Sequence, residues 1–190
     1  MMWVLLATGF TGALTFVFLV RWVHRLLGTM SSVAVHFSPK GGATEAVIRE
    51  LKAARREILV QAYSFSSKPI ATALVDAKTR GVQVEIILDR SNEQETYSDL
   101  PLFLEQGLAP LIDAQHAIAH NKMMLIDQRT LITGSFNFTH QAEAENAENL
   151  VIVKGHSELL RAYRQNFLTH KSHSQVPSQK TSTGTHRNAA

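Results

Sequence analysis

Between Val33 and Leu168, short apolar runs alternate with amphipathic stretches, and no other feature of the chain restricts its fold as much. VAVHFS, ILVQAYSF and VQVEIILD have strand length and composition. Between them GGATEAVIRELKAARRE opens with glycine and Thr44, and PIATALVDAKTRG opens with Pro69 and stops at Gly81, both in helical spacing. A polar loop, the short helical stretch SDLPLFLEQG, then APLID, the run from Ala119 to Phe138, NLVIV and the helix SELLRAYRQNFLTH complete the pattern. Strand and helix in alternation, with apolar strands, predict an α/β domain: a central mixed β-sheet with helices on both faces.

The two ends differ from this body. Residues 1–20, MMWVLLATGFTGALTFVFLV, carry no charged side chain and are long enough to span a bilayer as a helix. A single-pass anchor over residues 3–20 is the expectation, with Arg21 and Arg25 favouring a cytoplasmic side for the domain that follows. A cleaved signal, leading to export to the periplasm or secretion, is the alternative, as is a start at Met30. The last twenty residues are polar and read as a disordered tail. The expected segments are therefore 1–32, 33–170 and 171–190.

The net charge of +3 does not by itself indicate a polyanion partner. All 16 acidic residues but only 14 of the 19 basic ones lie between Val33 and Leu168, so the globular part carries −2. Phosphate binding must then come from a local site. The absence of cysteine excludes disulfides, thiolate metal sites and a cysteine nucleophile.

The segment AHNKMMLIDQRTLITGSFNF holds the candidates. Residues two apart on a strand share a face, which puts His120 and Lys122 together with Met124 and Ile126. On the return strand Ser135 and Asn137 share a face, with Phe136 and Phe138 turned to the core. Gly134 leaves room for a ligand to approach the backbone, and Asp127 sits in the turn. An imidazole, an ammonium, a hydroxyl and an amide converge on one surface. A phosphodiester gains charge when attacked and has a poor leaving group, so Lys122 and Asn137 suit its non-bridging oxygens. Neutral His120 suits nucleophilic attack through a phosphohistidine, and a second, protonated imidazole must serve the leaving oxygen. Glu148 is the candidate acceptor for the other ring nitrogen of the nucleophile. A metal pair of His116 and His120, four apart, requires a helix where the pattern shows a strand. The glycine pair in KGGA reads as a turn, and EAENAE as a solvated acidic stretch apart from Glu148.

His120, Lys122, Asp127, Gly134 and Ser135 stand in the spacing H-x-K-x4-D-x6-G-S, which resembles the signature of the phospholipase D superfamily. Asn137 comes one residue earlier than in the long form of that signature, and GSFNFT is similar to the small bacterial Nuc-type endonucleases. HFSPKGGA, AYSFSS, ALVDAKTRGVQVEIILD and AENAENLVIV extend the resemblance over about Val33 to Leu168. It implies a phosphodiesterase that uses no metal or cofactor. It implies His120 as nucleophile or acid; Lys122, Ser135 and Asn137 as phosphate holders; Glu148 orienting the histidine; and Asp127 as structural. Such chemistry uses two histidines and the chain has one motif, so a homodimer sharing one site is the expectation. An endonuclease on DNA or RNA is the leading function. A phospholipase D acting on phospholipid beside the membrane is the second, and a membrane-tethered nucleic-acid-binding protein the third.

Overall fold

The computed structural model describes residues 31–178 and, ahead of them, positions 16, 18–20 and 22. In chain order the elements are β1 (Ser32–Ser38), α1 (Ala43–Ala53), β2 (Glu57–Ala62), α2 (Lys68–Thr79), β3 (Gln83–Asp89), a 3-10 turn (Arg90–Glu93), α3 (Leu100–Glu105) and β4 (Leu111–Asp113). Then follow β5 (Lys122–Ile126), β6 (Thr130–Gly134), α4 (His140–Ala144), β7 (Glu148–Lys154) and α5 (Ser157–His173). The seven strands form one sheet in the order β1-β7-β6-β5-β2-β3-β4. β2, β3 and β4 run parallel, and every other neighbouring pair is antiparallel. The expected mixed sheet with flanking helices is what forms.

Strand alternation divides the core between the two faces. Ile58 and Val60 of β2 with Met124 and Ile126 of β5 pack against Val47 and Leu51 of α1 and Ile70 and Leu74 of α2. Leu59, Met123 and Leu125 turn the other way, onto Leu160 and Phe167 of α5. A sheet covered on both sides accounts for the near-continuous apolar character of β2 and β5.

Polar groups settle the joints. The turn from β5 to β6 places Asp127 and Gln128 at φ of 52° and 53°. There the Asp127 carboxylate accepts the backbone N–H groups of Arg55, Arg56 and Glu57 at 2.9, 2.7 and 3.0 Å. That ties the hairpin turn to the start of β2. Glu143, read as part of a solvated stretch, instead caps α1: its carboxylate accepts from the N–H groups of Gly42 at 3.2 Å and Thr44 at 2.7 Å. The glycine pair before α1 is thus engaged by an internal carboxylate.

The expected start of the tail at 171 is too early. α5 continues through His173, Gln175 exchanges two backbone hydrogen bonds with Ile112 of β4, and Ser178 donates to Glu93 from both its N–H and its hydroxyl. Polar composition hid this because the partners are backbone groups and carboxylates. Asp113, at the end of β4, is fully buried beneath α5. Burial pushes its carboxyl up, but hydrogen bonds from His170, His173, His116 and the Gln115 N–H outweigh that and hold it at about 2. The expected anchor over residues 3–20 lies almost wholly outside the described residues. Among the described residues, no helix is long and apolar enough to cross a membrane.

Replacing Asp127 by alanine leaves three backbone N–H groups without their acceptor. The expected loss is about 2 kcal/mol of unfolding free energy in urea titration, with the fold retained. A loss below about 0.5 kcal/mol would contradict the joint described here.

Candidate active site

The strand register gathers the candidate residues at one end of the sheet. Lys122, the first residue of β5, pairs with Ala62, the last of β2. Gly134, the last of β6, pairs with Leu150, two residues into β7, and Glu148 at the start of β7 faces Ser38 at the end of β1. Five strand ends thus meet where the motif residues sit.

His120 lies just before β5, in the approach to the strand rather than on it. Its ring packs against Tyr63, centroid to centroid 4.5 Å, and its backbone carbonyl accepts a hydrogen bond from Lys122 Nζ at 2.9 Å. The preceding Ala119 N–H donates to Asp89 Oδ2 at 2.7 Å, so the buried carboxylate at the end of β3 holds the loop that presents the imidazole. Tyr63 is itself fixed. Its N–H donates to the Asn121 carbonyl at 2.8 Å, and its carbonyl accepts from Asn92 Nδ2 at 2.7 Å. Asn92 in turn accepts from Ser98 Oγ at 3.1 Å. Tyr63, Asp89 and Asn92 escaped sequence reasoning because each acts across a long chain separation.

Lys122 is only 7% exposed, and its ammonium sits 4.9 Å above the centre of the Tyr63 ring. Burial pushes its pKa below the ordinary 10.5, and the charge of Glu148 opposes that shift. Among the described residues no carboxylate lies within ion-pairing distance of the ammonium; one carbonyl and an aromatic face are its partners. A buried, incompletely compensated cation is costly for a fold to keep and attracts an anion.

The return strand ends at Gly134, earlier than expected, and Ser135 to Asn137 form a bend beyond it. Ser135 is locked to Asn149 in both directions. Its N–H donates to Asn149 Oδ1 at 3.0 Å, and its hydroxyl accepts the Asn149 N–H at 3.0 Å. A Cβ on Gly134 would lie 2.2 Å from the Asn149 carbonyl oxygen. What approaches the glycine closely is therefore β7, and not a ligand. Phe136 and Phe138 are buried as expected. Between them Asn137 buries its amide oxygen with no donor, and its amide nitrogen makes no hydrogen bond within the described residues. That N–H group is the end left for a ligand. Glu148 Oε1 accepts from Asn146 Nδ2 at 3.2 Å. No hydrogen bond joins Glu148 to His120 within one chain, so the expected orienting contact is not made there.

His116 does not join His120. It turns to Asp113, where His170 and His173 also gather, two histidines that sequence reading had no reason to single out. The active-site candidates contribute an imidazole, a buried ammonium, an amide and a carboxylate, a set suited to holding an anion beside a nucleophile.

Comparison with known proteins agrees with this geometry. Residues 47–171 match the family model described as cardiolipin synthase, PLD-like domain. A phospholipase D of Rickettsia bellii is 42% identical over 142 residues, covering 75% of this chain and 70% of that protein. The mitochondrial cardiolipin hydrolase of Homo sapiens is 31% identical over 125 residues, 66% of this chain and 49% of that one. The crystal structure of a phospholipase D family member, Nuc from Salmonella typhimurium, superposes with a TM-score of 0.74 at 32% identity, covering 77% of this chain and 98% of that one.

Sulfate, which does not titrate in the alkaline range, probes the ammonium directly. Its affinity should fall as pH rises, with a midpoint below 10.5 because burial depresses the Lys122 pKa. Lys122→Ala should weaken sulfate binding at neutral pH at least about tenfold. A midpoint at or above 10.5, or equal binding by the variant, would contradict this reading of the site.

Proposed function

This chain belongs to the phospholipase D superfamily and is a phosphodiesterase of it, and we propose that it cleaves nucleic-acid phosphodiester bonds, without a catalytic metal, at a site completed by a second copy of itself. The observation that carries this is Lys122, only 7% exposed, whose ammonium has no carboxylate partner among the described residues and donates to the backbone carbonyl of His120. Ammonium and the Asn137 amide hold the non-bridging oxygens and meet the charge that develops during attack. A lone pair of the His120 ring forms a bond to phosphorus. As the bond from phosphorus to the leaving oxygen breaks, the proton passes to that oxygen from the protonated ring of His120 of the partner subunit. That second ring, now neutral, takes a proton from water as the water oxygen attacks phosphorus and displaces the first. Glu148 makes no hydrogen bond to the His120 of its own chain, which fits a role toward the opposing one.

Val33, Val35 and Phe37 form an apolar stripe on β1, 65, 47 and 66% exposed, and Phe37 is paired with Asn149 at the rim of the site. A stripe of that kind, continuous with half an active site, suits the contact between the two copies. Nucleic acid is favoured over lipid because the side chains shown against His120 are the aromatic Tyr63 and the cationic Lys122. The similarity of GSFNFT to Nuc-type endonucleases points the same way. Phospholipid is the second reading, favoured by the names of the phospholipase D and cardiolipin hydrolase relatives. An anchor over residues 3–20 would hold the domain beside either substrate at a bilayer.

The test is cleavage of single- and double-stranded DNA, RNA, and cardiolipin or phosphatidylcholine vesicles in excess EDTA, with folding checked in the same buffer. Nucleic acid should be cut. His120→Ala should lose at least about a thousandfold, and Phe37→Glu should yield folded, inactive monomers. Vesicle cleavage without nucleic-acid cleavage would give the site to lipid, and full activity of His120→Ala would overturn the site itself.

A further inference from the structure

Away from the phosphodiesterase site, three imidazoles converge on one buried carboxylate. Asp113 Oδ2 lies 3.1 Å from His116 Nδ1, 2.6 Å from His170 Nδ1 and 3.3 Å from His173 Nε2. The three rings stand 4.8 to 5.4 Å apart, centre to centre, and the four ligand atoms all fall within 4.8 Å of one another. Asp113 is fully buried, and its second oxygen is occupied by the Gln115 N–H at 3.1 Å, which fixes its orientation.

Hydrogen bonding alone serves this arrangement poorly. Oδ2 offers about two lone-pair directions, yet all three ring nitrogens lie within 3.3 Å of it, His116 Nδ1 being shared with Oδ1 at 3.2 Å. A cation among the four removes the conflict, because each ring then directs a lone pair inward. Bonds of about 2.0–2.1 Å in a tetrahedron set the ligand atoms about 3.3 Å apart; Asp113 Oδ2 already lies 2.6 to 3.3 Å from the three nitrogens, and a small closing movement of the rings, whose ligand atoms fall within 4.8 Å, completes the set. Three imidazole nitrogens and one carboxylate oxygen, with no thiolate, are a donor set for zinc, and four protein ligands leave no position for substrate.

The geometry points to a structural zinc site formed by Asp113, His116, His170 and His173. The ligands come as two short pairs, Asp113 at the end of β4 with His116 in the turn after it, and His170 and His173 on the last turn of α5. The ion would rivet the end of α5 to that turn, beside the place where Gln175 pairs with Ile112. It would also brace the far end of the loop whose near end, at Ala119, is held by Asp89 ahead of His120. This site takes no part in the reaction proposed above, and its test does not depend on that reaction.

The full 190-residue chain, untagged and in detergent micelles, is stripped with EDTA, given ZnCl2 and dialysed. One zinc should remain per chain, and the melting temperature should rise by about 5–10 °C over the stripped protein in saturating zinc. The double variant His170→Gln, His173→Gln should retain none and show no rise. Should that variant fail to fold, cobalt(II) in the native chain should give the intense visible bands of a tetrahedral site, lost in the half-exposed His116→Gln. No zinc retained by the native chain, equal retention by the variants, or an octahedral cobalt spectrum would each overturn the site.

Discussion

The register among β5, β6 and β7 is the constraint on which the rest depends. One residue of slip along any of these strands would send its core side chains to the opposite face. The buried sets around Met124 and Ile126 on one side, and Met123 and Leu125 on the other, therefore fix the pairing. With the pairing fixed, Lys122, Gly134 and Glu148 have to come to the same end of the sheet. The reciprocal Ser135–Asn149 hydrogen bonds and the absence of a Cβ at Gly134 let β6 close on β7 there. Apolar packing positions the polar chemistry.

A buried ammonium is an odd product of such packing unless its charge has a use. The globular part of the chain is negative overall, so no general field draws a polyanion in. Lys122 supplies a local positive site instead, shielded by Tyr63 and backed by the His120 carbonyl. Two such ammonium groups facing one another across a two-fold axis would concentrate that field where two imidazoles meet. On the proposed function the motif supplies one imidazole where attack and protonation of the leaving group need two, and among the described residues Glu148 makes no hydrogen bond to its own His120. Both shortfalls have the same remedy in a second copy.

Much of this was legible in the sequence, where the evidence was local. Alternating apolar runs gave the mixed sheet, Pro69 the start of α2, and the spacing of His120, Lys122, Ser135 and Asn137 a set of candidates that the fold brings to one end of the sheet. The errors follow from contacts that spacing does not encode. His120 precedes its strand, and Ser135 and Asn137 follow theirs, because the strand ends are set by neighbours in the sheet. Tyr63, Asp89 and Asn92 support the site from distant parts of the chain, Asn92 lying 29 residues from Tyr63 and Asp89 30 residues from Ala119. Glu143 caps a helix about a hundred residues earlier in the chain. His170 and His173 looked like the edge of a polar tail, and only the fold brings them to Asp113, 57 and 60 residues away.

The central claim is that one chain holds half of an active site whose nucleophile is His120. Rapid mixing with a chromogenic phosphodiester, an alkaline denaturing quench and peptide mass spectrometry would locate and count the covalent intermediate. The account predicts phosphorus on His120 alone, at no more than one adduct for every two chains. An adduct on every chain, or on any other residue, would contradict it.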